Sequence, residues 1–395
     1  MRILFYLPVV TPWWFDNVIE PLIRIMAQEA EAEISILAPV PWSFTGVGDR
    51  EMQRLADLPH IDWYIMNRDD HRSTRTIPDN GAELVEFVRT LAPDFTFCRA
   101  ADCATPLQFP GVVRYVMEGD ASPLRLDGPS YALKHLPFDH GEMPDLAPSS
   151  WQRLETRFAP VWEDRLKRFE NFRIDRDFVL DRAGIPADKP FVLLPLEYEH
   201  PENFFLMHRL GERSNDKLVE ALAQRLPDTH RLVVTDHPLN KYAVDGYALE
   251  ETVEKLGDKT ILIDAKIMGN PPTEVLSPHA DAMILGDSKC YSIAAFFGTP
   301  ILRRSCFATG DWMNAETDFD RFLERLEQGS LSAPDPDSAR RWFAFHFANE
   351  AFAANDPALT ARELLDRMVT PVNPDRWDRG LGRFGAAPAT QGLAA

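Results

Sequence analysis

Arg231-Leu232-Val233-Val234-Thr235-Asp236-His237-Pro238, followed some fifty residues on by Asp281-Ala282-Met283-Ile284-Leu285-Gly286-Asp287-Ser288-Lys289-Cys290-Tyr291-Ser292, decides how this chain reads. Each half is a short apolar run that gives way to polar residues. Between them lie a helical pattern, Leu249–Leu256, a strand pattern, Thr260–Ile263, and a second helix opened by Asn270-Pro271-Pro272. A helix Tyr291–Phe297, Gly298-Thr299-Pro300 and a strand to Arg303 close the stretch. Short apolar runs alternating with helical periodicity predict βαβ units and a parallel sheet. Ligands of such sheets bind beyond the carboxyl ends of the strands, so the two polar loops are the place to look for a nucleotide site.

The same alternation extends in both directions. Upstream, Phe191–Leu196 reads as a strand and Asp216–Leu226 as a helix. The N-terminal half repeats the theme, with strands at Ile3–Val10, Glu33–Val40, His60–Met66, Asp94–Cys98 and Gly111–Met117. Its helices read as Val18–Ala30 and Gly81–Leu91, and Thr11–Asn17 reads as a loop. Asp127–Pro148, rich in Pro, Gly and His, reads as a long loop, and Trp151–Arg182 as a helical stretch ended by Gly184-Ile185-Pro186. Helices Asp318–Gln328, Asp337–Asn349 and Pro357–Met368 follow. The predicted organisation is therefore an N-terminal domain over 1–148, a helical connection over 149–186 and a second α/β domain over 187–330. C-terminal helices over 331–381 and a frayed Gly/Ala-rich tail over 382–395 complete it. A chain of 395 residues suits two domains.

Composition narrows the function. Lys and Arg number 42 against 61 Asp and Glu, a net charge of −19, which argues against binding nucleic acid or anionic lipid through bulk charge. A bound phosphate would need local donors. The four cysteines, Cys98, Cys103, Cys290 and Cys306, form no CxxC pair and no zinc spacing, as expected of free thiols in a reducing compartment. Trp13, Trp14 and Asp16 interrupt the first apolar run too soon for a signal peptide, and no run approaches the roughly 20 apolar residues of a membrane span. The reading is a cytoplasmic protein, with peripheral contact at the inner face of a membrane left open. No structural metal is expected; Asp69-Asp70 and Asp335-Pro336-Asp337 sit in loop contexts.

Several residues can carry chemistry. Pro238 keeps His237 out of a helix and fixes it just past a strand end, where its imidazole can donate to a phosphate. The same placement suits a satisfied surface histidine, and His200-Pro201 shows how readily the dipeptide arises. Ser288, Lys289 and Ser292 stand where a strand hands over to a helix, which suits an anion or a simple helix cap. There is neither GxGxxG nor a Walker A sequence. Glu118-Gly119-Asp120 follows a strand of the other domain and offers a general base or nucleophile, or a plain turn. Trp13, Trp14 and Asp16 suit sugar stacking and hydroxyl binding, or a loop tucked into the core. Glu197, after Phe191–Leu196, suits a ribose or an acceptor, or solvent.

Taken in order, four of these segments resemble a known family. They are Tyr115-Val116-Met117-Glu118-Gly119, Leu194-Pro195-Leu196-Glu197, His237-Pro238, and the turn from Asp287-Ser288 to Gly298-Thr299-Pro300. Together they are similar to the bacterial capsule-polysaccharide glycosyltransferases that transfer Kdo and, more distantly, to GT-B sialyltransferases and polysialyltransferases that use CMP-activated sugars. The resemblance spans about Gly111–Leu323. Glu197 stands where the capsule enzymes often have Gln, Gly286-Asp287-Ser288 replaces an Asn-Ser-Thr type of turn, and the family's acidic pair before Gly is Met117-Glu118 here.

The resemblance implies an α/β, GT-B-like chain with two Rossmann-type domains facing a central cleft. It implies a CMP-sugar donor on the C-terminal domain, a saccharide or glycolipid acceptor on the N-terminal one, and no metal or cofactor. His237 and Pro238 would meet the CMP, and Ser288, Lys289, Ser292 and Glu197 would complete the nucleotide site. Trp13, Trp14 and Asp16 would meet the acceptor. Glu118 would activate the acceptor hydroxyl, with Asp120 the second candidate. Two alternatives are a GT-B enzyme using a UDP- or GDP-sugar, with Lys289, Arg303 or Arg304 at the second phosphate, and a non-catalytic binding protein of polysaccharide assembly.

Overall fold

A computed structural model describes residues 1–28, 32–58, 60–66, 75–119, 122–124, 128–173, 175–244 and 246–384. The chain is α/β and falls into two compact units, each with its own Rossmann-like parallel sheet. The first unit is built from Met1–Gly119, Gly128–Asp139 and Asn349–Gly380, and the second mainly from His140–Ala348.

The first sheet has strands β1 (Arg2–Tyr6), β2 (Glu33–Pro39), β3 (Ile61–Met66), β4 (Phe95–Cys98), β5 (Val112–Glu118) and β6 (Tyr131–Lys134) in the order β3-β2-β1-β4-β5-β6. The first five run parallel and β6 pairs antiparallel to β5. One face carries Ile3, Phe5, Ile36 and Phe97, covered by Leu22 and Met26 of helix Glu20–Ala27 and by Leu364 and Met368 of helix Ala361–Val369. Such two-sided burial is why these strands read as unbroken apolar runs.

The second sheet holds β7 (Phe191–Pro195), β8 (Arg231–Thr235), β9 (Thr260–Ile263), β10 (Ala282–Leu285) and β11 (Ile301–Arg303), all parallel, in the order β11-β10-β7-β8-β9. Strands β8 and β9 and helix Tyr291–Phe297 fall on the residues the pattern predicts.

Three expectations need correcting. Thr11–Asn17 is helical from Pro12 onward rather than a loop, because the Thr11 hydroxyl accepts the Trp14 N–H at 3.3 Å and proline at the first helical position gives up no needed donor. The run continues through a π-turn, Phe15–Ile19, into Glu20–Ala27. The stretch read as a long loop contains β6, whose Tyr131 exchanges main-chain hydrogen bonds of 2.7 and 2.8 Å with Phe352, a partner far along the chain. The helices after residue 331 are also not one group. Helix Pro336–Phe345 belongs to the second unit, where Phe343 meets Trp162 of helix Pro148–Arg168. Helix Ala361–Val369 belongs to the first. There the buried Arg367 donates to the carbonyls of Asn349 (2.6 Å) and Glu350 (3.0 Å), fastening the return of the chain.

Gly111, at the entry to β5, has φ +75°, and a Cβ there would lie 2.4 Å from the carbonyl oxygens of both Pro93 and Asp94. Neither oxygen can step aside without disturbing the β4–β5 pairing, since Asp94 accepts the Val112 N–H at 2.9 Å. Gly111→Ala is expected to destabilise the protein by about 2–4 kcal/mol, combining left-handed strain with overpacking. Urea unfolding followed by fluorescence checks this; a midpoint equal to that of the parent would refute the close approach.

Candidate functional site

The second sheet changes direction between β7 and β10: β8 and β9 build out on one side of β7, β10 and β11 on the other. Open α/β sheets bind ligands at this reversal. The loops leaving β7, β8 and β10 carry Glu197, His237 and Ser288, and a chain of hydrogen bonds ties them together. The Glu197 carboxylate accepts the Asp287 N–H at 2.8 Å through Oε1 and Arg209 Nε–H at 3.1 Å through Oε2. Its fit explains Gly286, where a Cβ would lie 2.6 Å from Oε1. The Glu197 carbonyl accepts from Asn215 Nδ2 (3.1 Å) and Asn240 Nδ2 (3.2 Å). Asn240 also donates to Asp236 Oδ1 at 2.7 Å and accepts the Glu199 N–H at 2.9 Å. Asn240 thus fastens the histidine loop to the Glu197 loop, and Glu197 fastens both to the serine turn.

His237 is half-buried. Its Nδ1 accepts the Leu239 N–H at 3.3 Å, which assigns the ring proton of the neutral imidazole to Nε2. The ring lies 5.5 Å from Tyr198, whose other neighbour is the stacked His200 ring at 5.4 Å. Both His-Pro dipeptides therefore meet at one tyrosine. Burial, helped by Glu202, pushes the Tyr198 phenol up to about 12, so it stays a neutral donor at physiological pH.

The serine turn divides its labour. Ser288 Oγ accepts the Cys290 N–H at 3.2 Å, the capping role open to it from the sequence. Lys289 is exposed. Ser292 departs from expectation: it is fully buried, and its hydroxyl donates inward to the carbonyls of Ser122 (2.5 Å) and Lys289 (2.7 Å). Burial raises the Asp287 carboxyl, which accepts from Ser305 Oγ at 2.6 Å and Arg303 Nη2 at 3.3 Å. Arg303 is itself buried, and its Nη1 donates to the Ala308 carbonyl at 2.6 Å.

In the first unit the corresponding reversal lies between β1 and β4. Arg99 follows β4, and its guanidinium sits 3.7 Å from the Trp14 ring centre, donating to the Val116 carbonyl at 3.2 Å. Burial lowers its pKa to about 10, and the Glu118 carboxylate pulls the other way. Glu118 is the exposed last residue of β5, paired across the sheet with Tyr131. Trp14 is buried edge-on against Tyr131 at 5.5 Å, so the core placement is the one realised, whereas Trp13 is 53% exposed. Asp16 is ion-paired to Arg50 and, at 3.2 Å, to Arg54. Asp120 and the Asp69-Asp70 pair lie outside the described residues.

Sequence reasoning missed Arg99, Tyr198, Arg209 and Asn240. Arg99 directly follows a strand and Asn240 stands three residues past His237, so strand-end position was a usable signal for both. Arg209 carried none, because only the tertiary fold returns it to Glu197.

No family model and no curated protein matches this chain. Among solved structures it is similar to the apo form of the lipopolysaccharide outer core galactosyltransferase WaaB, at 13% identity and TM-score 0.37, over 94% of this chain and 100% of that one. It is similar to KpsC, a β-Kdo 2,7 transferase of Thermosulfurimonas dismutans, at 12% identity and TM-score 0.39, over 94% and 99%. For the E. coli ADP-heptose LPS heptosyltransferase II the values are 11% and 0.25, over 77% and 85%. Scores this low carry no inference about chemistry; the doubly wound architecture stands on the two sheets themselves.

Proposed function

We propose that this chain is a GT-B type glycosyltransferase of surface-polysaccharide synthesis that moves a Kdo- or sialic-acid-like sugar from a CMP-activated donor to a saccharide or glycolipid acceptor. The observation that carries the reading is the hydrogen-bonded convergence of three strand-end loops at the reversal of the second sheet, through Asn240, Glu197 and the Asp287 N–H. It brings His237 and Ser288 to the place where an open sheet receives a nucleotide. With its proton on Nε2, His237 donates to the donor phosphate, and the exposed Lys289 adds charge nearby. The departing CMP carries one phosphate, whose charge a few fixed donors can stabilise. A diphosphate donor asks for more, and Arg303, one of the three cations named for a second phosphate, is spent on Asp287, Ser305 and the Ala308 carbonyl.

On the first unit, Glu118 takes the proton of the acceptor hydroxyl as it attacks the anomeric carbon. The nearby Arg99 guanidinium is fixed against Trp14 and has Glu118 within its electrostatic reach. The acceptor meets Trp13 on the same unit. No described helix is long and apolar enough to cross a membrane; the reading places the enzyme on the cytoplasmic side, with a glycolipid acceptor bringing it to the membrane face.

Thermal shift with CMP, UDP and GDP tests the donor: stabilisation by CMP is expected, and a preference for UDP or GDP refutes the reading. His237→Ala is expected to weaken CMP binding about 10- to 100-fold, the loss of one hydrogen bond to a charged group. Unchanged affinity in calorimetric titration would remove His237 from the phosphate.

A further inference from the structure

Arg209, Arg304 and Glu197 line one narrow crevice at the carboxyl ends of β7 and β10. Arg209 is only partly spent there. Its Nε donates to Glu197 Oε2 at 3.1 Å and its Nη1 to the Arg213 carbonyl at 2.8 Å. The side chain is 4% exposed, yet among the described residues nothing accepts from Nη2. A buried donor without an acceptor costs free energy, and folded proteins leave few of them. Arg304 directly follows β11. A Cβ on Gly211 would lie 2.6 Å from its Nη2, so the loop that carries Arg209 rests on the Arg304 guanidinium. Burial and the charge of Arg225 both hold the Arg304 pKa below the usual guanidinium range. Glu197 offsets Arg209 and Asp320 offsets Arg225, so among the described residues Arg304 is the charge left over.

The crevice sets the ligand's chemistry. Leu218, Leu222 and Ile284 give it an apolar wall, beside which a contact between charges is stronger than in open water. Its volume of about 20 Å³ exceeds the roughly 10–15 Å³ that one water needs, so it admits one oxygen atom and excludes a sugar ring or a base. A neutral hydroxyl there would answer the Arg209 donor and leave the Arg304 charge unmet. We propose that this crevice seats one oxygen of a small oxyanion, a phosphate or a carboxylate, between Arg209 Nη2 and the Arg304 guanidinium. Neither His237 nor Ser288 takes part, so the assignment stands or falls separately from the CMP reading.

Calorimetric titration of the full chain with inorganic phosphate, at an ionic strength held constant with chloride, tests it. Phosphate should bind saturably, one per chain, in the millimolar range, and glycerol at the same concentrations should not bind. Arg304→Met keeps an apolar stem beside Phe319, whose ring centre lies 5.3 Å from the guanidinium carbon, and removes the charge. It should weaken phosphate at least about tenfold, the loss of one charged contact, while leaving the melting temperature in place. Arg209→Lys, which keeps a charge for Glu197 and removes the Nη2 donor, should weaken phosphate too. Competition identifies the source of the oxyanion. Displacement of phosphate by N-acetylneuraminic acid identifies a sugar carboxylate, and displacement by neither that acid nor a nucleotide identifies a free ion. Displacement by UDP but not by CMP identifies a second donor phosphate, which would support the site while refuting the CMP donor. Absence of saturable phosphate binding, or undiminished binding to a folded Arg304→Met, would overturn the proposal and leave the buried donor to water.

Discussion

Glu118→Gln is expected to slow sugar transfer by about 10²–10⁴-fold, the range that one positioned general base supplies. Glu118 is exposed at the end of β5, and its strand is held by main-chain pairing to β4 and β6, so an isosteric amide disturbs no packing. What the amide loses is basicity. The measurement is CMP release from a CMP-activated sugar with a saccharide acceptor present, compared at equal folded protein. CMP affinity should be unchanged, because the nucleotide is assigned to the second unit. A Glu118→Gln enzyme that turns over at the parent rate would place the base elsewhere, and Asp120→Asn is then the variant to examine.

Glu197→Ala is expected to lower the melting temperature by roughly 6–12 °C, the equivalent of about 3 kcal/mol for a cooperative unit of about 150–250 residues. Arg209 loses its carboxylate partner, keeping only its bond to the Arg213 carbonyl among those described, and the Asp287 N–H loses its acceptor. The Arg209 side chain is only 4% exposed, so its charge is left in a poorly hydrated place. The Asp287 N–H stands at the head of the serine turn. Both costs are desolvation penalties rather than the worth of the bonds themselves. Nucleotide binding should fall as well, since the turn and the histidine loop are aligned through this residue. Glu197→Gln, which keeps the Oε1 acceptor but turns a dipole toward Arg209, should lie between the two. Calorimetry is the measurement, because it does not presuppose that the chain melts in a single two-state step. An unshifted thermogram in Glu197→Ala would mean that the bridge contributes nothing and that the loops are held from elsewhere.

The contrast between Ser292 and His237 shows what pattern reading captures. His237 stands just past the end of β8 and Ser292 in the first turn of the helix that follows β10, and position draws both toward the nucleotide. Pro238 constrains the backbone of its neighbour by local sterics, so His237 emerges where the dipeptide predicts. Ser292 has no such constraint. Its hydroxyl direction is chosen by carbonyls at Lys289 and Ser122, the second of which lies 170 residues away. The same division separates Trp13 from Trp14: adjacent aromatics, one exposed and one locked beneath Arg99, with the choice made by a helical turn that starts at Pro12.

By itself the sequence determined the two α/β alternations, because strands buried on both faces must be apolar throughout and their crossover helices must carry a 3.6-residue apolar stripe. Those signals are local, and they place β8, β9 and helix Tyr291–Phe297 to the residue. Only the tertiary structure decided that β6 closes the first sheet and that helix Ala361–Val369 returns to it. It alone made Glu197 a bridge between loops rather than an open ligand group. The Glu197–Asp287 contact joins residues ninety apart, and helix Ala361–Val369 packs on strands more than two hundred residues before it; a contact that distant leaves no periodicity in either segment for a reader of the chain to find.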